Sequence, residues 1–192
     1  ADLQPVSLLC GTALEARVSF NRRIVMRDGS AEMGLGPRPA NALYREGPSD
    51  PEVGVALFTT ADLQTRAALL HHTSHPVHWN PHTAIHGDWP GAWAQAVRQH
   101  LLPGAIPLVL NGCCGNVIHH DALNPHREDT PDSMAQLLTE AVRSALTQPC
   151  IRQDQPRLAY QTRRFDIPFR AFPKKIFEEA HAFLAAHPDP KW

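Results

Sequence analysis

Three neighbouring stretches decide the architecture: RAALLHHTS (66–74), DWPGAWAQAVRQHLL (88–102) and IPLVLNGCCGN (106–116). The first is apolar without strict alternation, as expected of a central strand covered on both faces. In the second, Trp93, Ala96, Val97 and Leu101 recur at helical spacing, with Pro90 placed for a first turn and Asp88 before it as a cap. In the third, Ile106 to Leu110 reads as a short buried strand, and the glycines of Asn111-Gly112-Cys113-Cys114-Gly115-Asn116 permit a tight turn. Strand, helix, strand in that order predicts an α/β fold with a mixed central sheet and flanking helices.

On the N-terminal side, Val53 to Thr59 reads as a second central strand, and Leu3 to Phe20 as one or two strands with a turn near Gly11. Between them, 21–51 is rich in glycine and proline and reads as a long loop, a kind of segment more often functional than idle. On the C-terminal side, Pro131 to Leu146 carries Met134, Leu137, Leu138 and Ala141 at helical spacing, with Asp129 or Thr130 as its cap. Leu158 to Phe169 alternates like a strand, and Pro173 to Ala186 reads as a third helix ended by Pro188. With 192 residues, 43% of them hydrophobic, the chain is long enough for one core, so 1–192 is read as a single α/β domain.

Eighteen basic residues against 19 acidic ones leave a net charge of −1, which argues against nucleic acid or an anionic membrane surface as main partner. No apolar run approaches the roughly 20 residues of a membrane span, and no secretory signal opens the chain. That favours a soluble, cytoplasmic protein while leaving the compartment open. The start at Ala1-Asp2, running at once into strand-like sequence, reads as a processed or truncated terminus. No glycine-rich phosphate loop follows the first strand, so a nucleotide or flavin enzyme is set aside.

The four cysteines have neither zinc-ribbon nor disulfide-scaffold spacing, and Cys113 and Cys114 have no identifiable partner base. The histidines say more: of 12, ten lie between His71 and His126. His75 ends a predicted strand, where α/β sheets bind ligands, and Pro76 holds it extended. His71 and His75 would lie roughly 13 Å apart on a strand, too far to share one zinc ion. A polar strand edge is the plain alternative for either.

His75-Pro76 followed by Ile85-His86-Gly87-Asp88-Trp89-Pro90-Gly91 resembles the His-Pro, loop, Ile-Ser-x-Asp-x-x-Gly pattern of the neutral/alkaline non-lysosomal ceramidases. Phe20-Asn21-Arg22-Arg23, Asp50-Pro51-Glu52-Val53-Gly54-Val55 and the turn 111–116 agree in order and spacing, so the resemblance covers about residues 7–121. It implies a zinc-dependent hydrolase of a linear amide bond, acting on a small-molecule or lipid-like substrate. It further implies that His75 is one metal ligand, that another histidine lies upstream and a glutamate and tyrosine downstream, and that 1–192 is part of a larger catalytic domain. Asp88 would orient a ligand or cap its helix, and Asn116 and His119 would line the cleft with His120 and Asp121. Asn21 and Arg22, with Arg23, are candidates for binding an anion, because arginine offers a planar fork of donors. One departure stands out: Ile118 occupies the position of a family serine important for hydrolysis, which argues against ceramide itself as substrate. A noncatalytic binding or scaffold domain that retains the fold is the alternative.

Overall fold

The computed structural model describes residues 3–33, 39–78, 84–124, 126–169 and 171–188. They form two compact units, Ala1–Pro156 and Arg157–Trp192. The first is built on a five-stranded sheet from β1 (Ser7–Leu14), β6 (Glu52–Thr59), β7 (Thr65–His72), β8 (Ile106–Asn111) and β10 (Ile151–Gln153), in the order β10-β1-β6-β7-β8. All pairings are antiparallel except β7 with β8, which run parallel because helix α1 (Asp88–His100) carries the chain back between them. This is the mixed sheet that the strand–helix–strand reading predicts.

Alternation along the strands sets which face is buried. Val53, Val55 and Leu57 of β6 and Ala68 and Leu70 of β7 face one side. There they meet Trp89, Trp93 and Val97 of α1 and Met134, Leu138, Val142 and Ala145 of α2 (Pro131–Thr147) in a single apolar cluster. Burying each such side chain contributes about 1.5–3 kcal/mol. Thr130 caps α2: its hydroxyl accepts from Ser133 N (3.1 Å), and the Ser133 hydroxyl accepts from Thr130 N (3.2 Å). This reciprocal box contributes about 1 kcal/mol. On the other face, Ile106, Leu108 and Leu110 of β8 remain 48–66% exposed, and the alternate residues of β6 and β7 are only partly buried by the described residues of this unit. The expectation of strands covered on both faces is corrected here: unbroken apolar sequence reports tolerance of burial, not burial itself.

Three further expectations change. The predicted turn at Gly11 does not form, and β1 runs straight through it. A Cβ at Gly11 would stand 2.9 Å from the Ala145 carbonyl oxygen and 3.0 Å from Cys150 Sγ, so glycine lets the end of α2 approach the sheet. The loop 21–51 contains a small antiparallel sheet, β3 (Ile24–Met26) between β4 (Ala31–Glu32) and β5 (Ala42–Arg45). These strands are too short for a periodic signal. Residues 158–169 form no strand; Leu158, Tyr160, Phe165, Ile167 and Phe169 are 71–101% exposed. Alternation makes a strand only where a neighbour accepts its backbone hydrogen bonds. In the second unit α3 (Lys174–Ala186) follows Pro173 as expected, with exposed ion pairs Lys174–Glu178 and Lys175–Glu179.

Two minor strands matter for the site. β2 (Phe20–Asn21) pairs with β9 (Val117–Ile118), and Ile118 also bridges His75 in parallel. The segment after β9 is thereby tied to the exit of β7.

Candidate metal centre

Beyond the end of β7, His78 meets two residues from distant segments: His119, which follows β9, and Asp129, which precedes the Thr130 cap. One donor atom from each lies within 4.8 Å of the others. The two imidazoles stack, with centroids 3.4 Å apart and planes 17° from parallel. Their side chains are almost fully buried, at 4% and 9% exposure. Burying so many polar groups is costly unless each finds a partner.

Most do. Asp88 Oδ1 accepts from His78 Nδ1 at 2.7 Å and from Trp89 N at 2.7 Å. Asp88 holds φ +51°, and its N–H donates to His86 Nδ1 at 2.8 Å. The helix N-cap is Gly87, so Asp88 is the first helical residue and its carboxylate serves both the first turn and a histidine. Asp129 Oδ1 accepts from His119 Nδ1 (2.8 Å) and from Arg127 Nη2 (3.0 Å), while His120 Nδ1 lies 3.5 Å from Oδ2. With both Nδ1 atoms donating, each ring in its neutral form carries its electron pair on Nε2. Those two Nε2 atoms are buried and make no hydrogen bond; His78 Nε2 only approaches Asp129 Oδ1, at 3.3 Å.

Electrostatics follows from this packing. Burial pulls the His78 pKa down, but Asp129 and Asp88 together outweigh it and hold it above the ordinary value. Burial likewise opposes ionisation of Asp129, yet His119, His78 and Arg127 overcome that and keep its carboxyl well below the usual carboxylate range. The metal-free cluster thus holds an ionised Asp129 carboxylate between the two imidazoles and the Arg127 guanidinium. Two buried imidazole nitrogens and a carboxylate are a donor set that suits zinc or a similar divalent ion.

The residues singled out in the sequence are placed as follows. His75 is half-buried; its Nδ1 donates to the Val117 carbonyl (3.1 Å), so Nε2 keeps its electron pair, but among the described residues it joins no group of three ligating side chains. Asn21 is buried, its Oδ1 accepting from Arg23 N (2.9 Å) and its Nδ2 donating to the Pro48 carbonyl (3.3 Å). Arg22 donates from Nη2 to the Gly115 carbonyl (2.9 Å) and from its backbone to the Asn116 carbonyl (2.8 Å). Arg22 therefore holds the 111–116 turn, whereas Asn21 holds the backbone of Arg23 and Pro48. Asn116 itself is exposed. His72 is sealed between the Ser19 hydroxyl (2.8 Å) and the Glu52 carbonyl (3.1 Å), and burial depresses its pKa. Sequence reasoning reached His119 and Asp88 but not His78, which lay inside an unpatterned loop, and it took Asp129 for a helix cap. The histidine clustering was the signal that could have found His78.

A cavity of about 410 Å³ lined by Arg17, Arg127, Glu128, Ser133, Gln136 and Leu137 shares Arg127 with this network. A larger one, about 490 Å³, lies between α1 and α2 and touches none of the cluster residues. Among the described residues no helix is long and apolar enough to cross a membrane.

No family model matches the chain, and no curated protein matches its sequence. Solved structures of ceramidases share its fold. Neutral ceramidase from Pseudomonas aeruginosa matches with a TM-score of 0.54 and 17% identity, over 76% of this chain and 23% of that one. A ceramidase complexed with C2 matches with a TM-score of 0.57 and 19% identity over the same shares. The chain therefore spans less than a quarter of the length of the ceramidases it matches, and what it shares with them is a ceramidase-like α/β fold.

Proposed function

We propose that this chain belongs to a zinc-dependent hydrolase of linear amide bonds in small-molecule or lipid-like substrates, with the cation held by His78, His119 and Asp129. The observation that carries this reading is the stacked pair of buried imidazoles beside the Asp129 carboxylate, with His119 Nε2 left without a hydrogen bond and His78 Nε2 3.3 Å from Asp129 Oδ1. A buried acceptor with no donor is destabilising by about 1–3 kcal/mol, a cost that coordination of a cation would relieve. A zinc ion bound there would supply Lewis-acid polarisation of an amide carbonyl and a water of lowered pKa. Asp88 fixes the His78 tautomer, as carboxylates do behind metal-binding histidines. His120, 40% exposed, stands at the rim beside Asp129. His75 remains eligible as a ligand in the same reading, since its Nε2 lone pair is free of the Val117 contact.

The fold likeness supports a hydrolase class, and Ile118 argues for an amide other than ceramide. Ile118 also favours the competing reading, a binding or scaffold domain without chemistry. Metal content separates the two. Zinc titration of the metal-depleted chain against a chromophoric chelator should show about one tight site per chain. It should be lost in His78→Ala and in His119→Ala and retained in His71→Ala. A folded wild-type chain that takes up no zinc would favour the scaffold.

A further inference from the structure

The segment carrying His119 and Asp129 is pinned by one guanidinium. Arg127 Nη2 donates both to the His119 carbonyl (2.6 Å) and to Asp129 Oδ1 (3.0 Å), while Nη1 donates to the Glu128 carbonyl (3.0 Å). The group lies over the Phe20 ring, 5.3 Å from its centroid. A second guanidinium, that of Arg45, lies 5.0 Å from the same centroid and bonds Asp121 Oδ1 at 2.6 Å. Asp121 Oδ1 in turn accepts from Leu123 N at 3.0 Å. Phe20 is itself set by its pairing with Ile118, immediately before His119. A β2 aromatic ring thus carries two cations, and each cation grips the same connection between β9 and α2.

We infer that Arg127, braced on Phe20, is the positioning residue that holds His119 and Asp129 at the spacing a divalent cation requires. The inference rests on the metal reading above and adds the part that assembles the site. It runs against simple electrostatics. A positive charge beside a cation site repels the cation, so on Coulombic grounds its removal should tighten binding. The geometry predicts the reverse, because one guanidinium bonds the His119 carbonyl and Asp129 Oδ1 through Nη2 and the Glu128 carbonyl through Nη1 while its plane lies over Phe20. Lysine keeps the charge but has neither the second nitrogen nor the planar group that lies over Phe20.

The test is zinc affinity, by chelator competition, of the full chain as wild type, Arg127→Gln, Arg127→Lys and Phe20→Leu, with the visible spectrum of the cobalt(II)-loaded form as a second readout. Arg127→Gln and Arg127→Lys should each weaken binding by about 10- to 100-fold, as loss of groups that orient ligands does. Phe20→Leu should weaken it in the same direction by a smaller factor, and the cobalt bands should shift in all three. Zinc binding in Arg127→Gln as tight as wild type or tighter, with unchanged cobalt bands, overturns the inference while leaving the metal centre standing. A wild-type chain that binds no zinc, or binding indifferent to His119→Ala, overturns both. If Arg127→Gln fails to fold, Phe20→Leu and Arg127→Lys decide: wild-type affinity in both overturns it.

Discussion

Asp88→Asn tests the electrostatic logic of the centre without touching a proposed ligand. Asparagine keeps the side-chain shape and tolerates the left-handed φ of +51° that position 88 adopts. The change falls chiefly on the buried bond from His78 Nδ1 to Asp88 Oδ1 at 2.7 Å, between side chains 4% and 8% exposed, since the Trp89 N–H that shares this oxygen is uncharged. A hydrogen bond to a charged group is worth about 1.5–3 kcal/mol and a neutral one about 0.5–1.5, so the metal-free chain should lose about 1–1.5 kcal/mol. The pH dependence has a definite sign. The folded pKa of His78 is raised above its ordinary 6.5. Its contribution is therefore complete below the unfolded value and fades as pH rises through the raised one. Urea denaturation of metal-free wild type and Asp88→Asn at about pH 5.5 and pH 8.5 should show the full gap at the lower pH and a smaller gap at the higher. A gap that is constant, or that widens toward alkaline pH, refutes the claim that Asp88 helps hold His78 protonated.

Two further perturbations probe the scaffold beneath the centre. A Cβ at Gly112 would fall 2.0 Å from Thr73 Oγ1 but 3.1 Å from Thr73 Cβ and His71 Nε2. Gly112→Ala should therefore destabilise by about 1–3 kcal/mol, and Thr73→Ala in the same chain should recover part of that in a double-mutant cycle; additive losses would show that the hydroxyl is not the obstacle. Leu138→Ala, at a fully buried position on α2, should lower unfolding stability by about 2–5 kcal/mol in urea, whereas a loss under 1 kcal/mol would mean that the α2 face is not the core.

Much of the fold was legible because it is written in local periodicity. Helices over 88–100, 131–147 and 174–186 and strands over 52–59, 65–72 and 106–111 arise from apolar spacing, caps and prolines that neighbouring residues supply. The reading failed where a local pattern has no fixed tertiary meaning. Gly11 looks like a turn until α2 is seen to approach it, and the alternation of 158–169 has no strand beside it. His75 was legible as a histidine near the exit of a central strand, and Asp88 as a residue in a helix's first turn.

The cluster was not legible, for a physical reason. His78, His119 and Asp129 come from a strand exit, a two-residue bridge to β2 and the approach to a helix cap, and they meet through the pairing of β9 with β2 and His75 and through the Arg127 contacts. By itself, the sequence determined the α/β class, the helices and the wealth of histidine between 71 and 126. The tertiary structure decided which of those histidines share a buried space with a carboxylate, because contacts between segments depend on how they pack in three dimensions and leave no spacing in the chain.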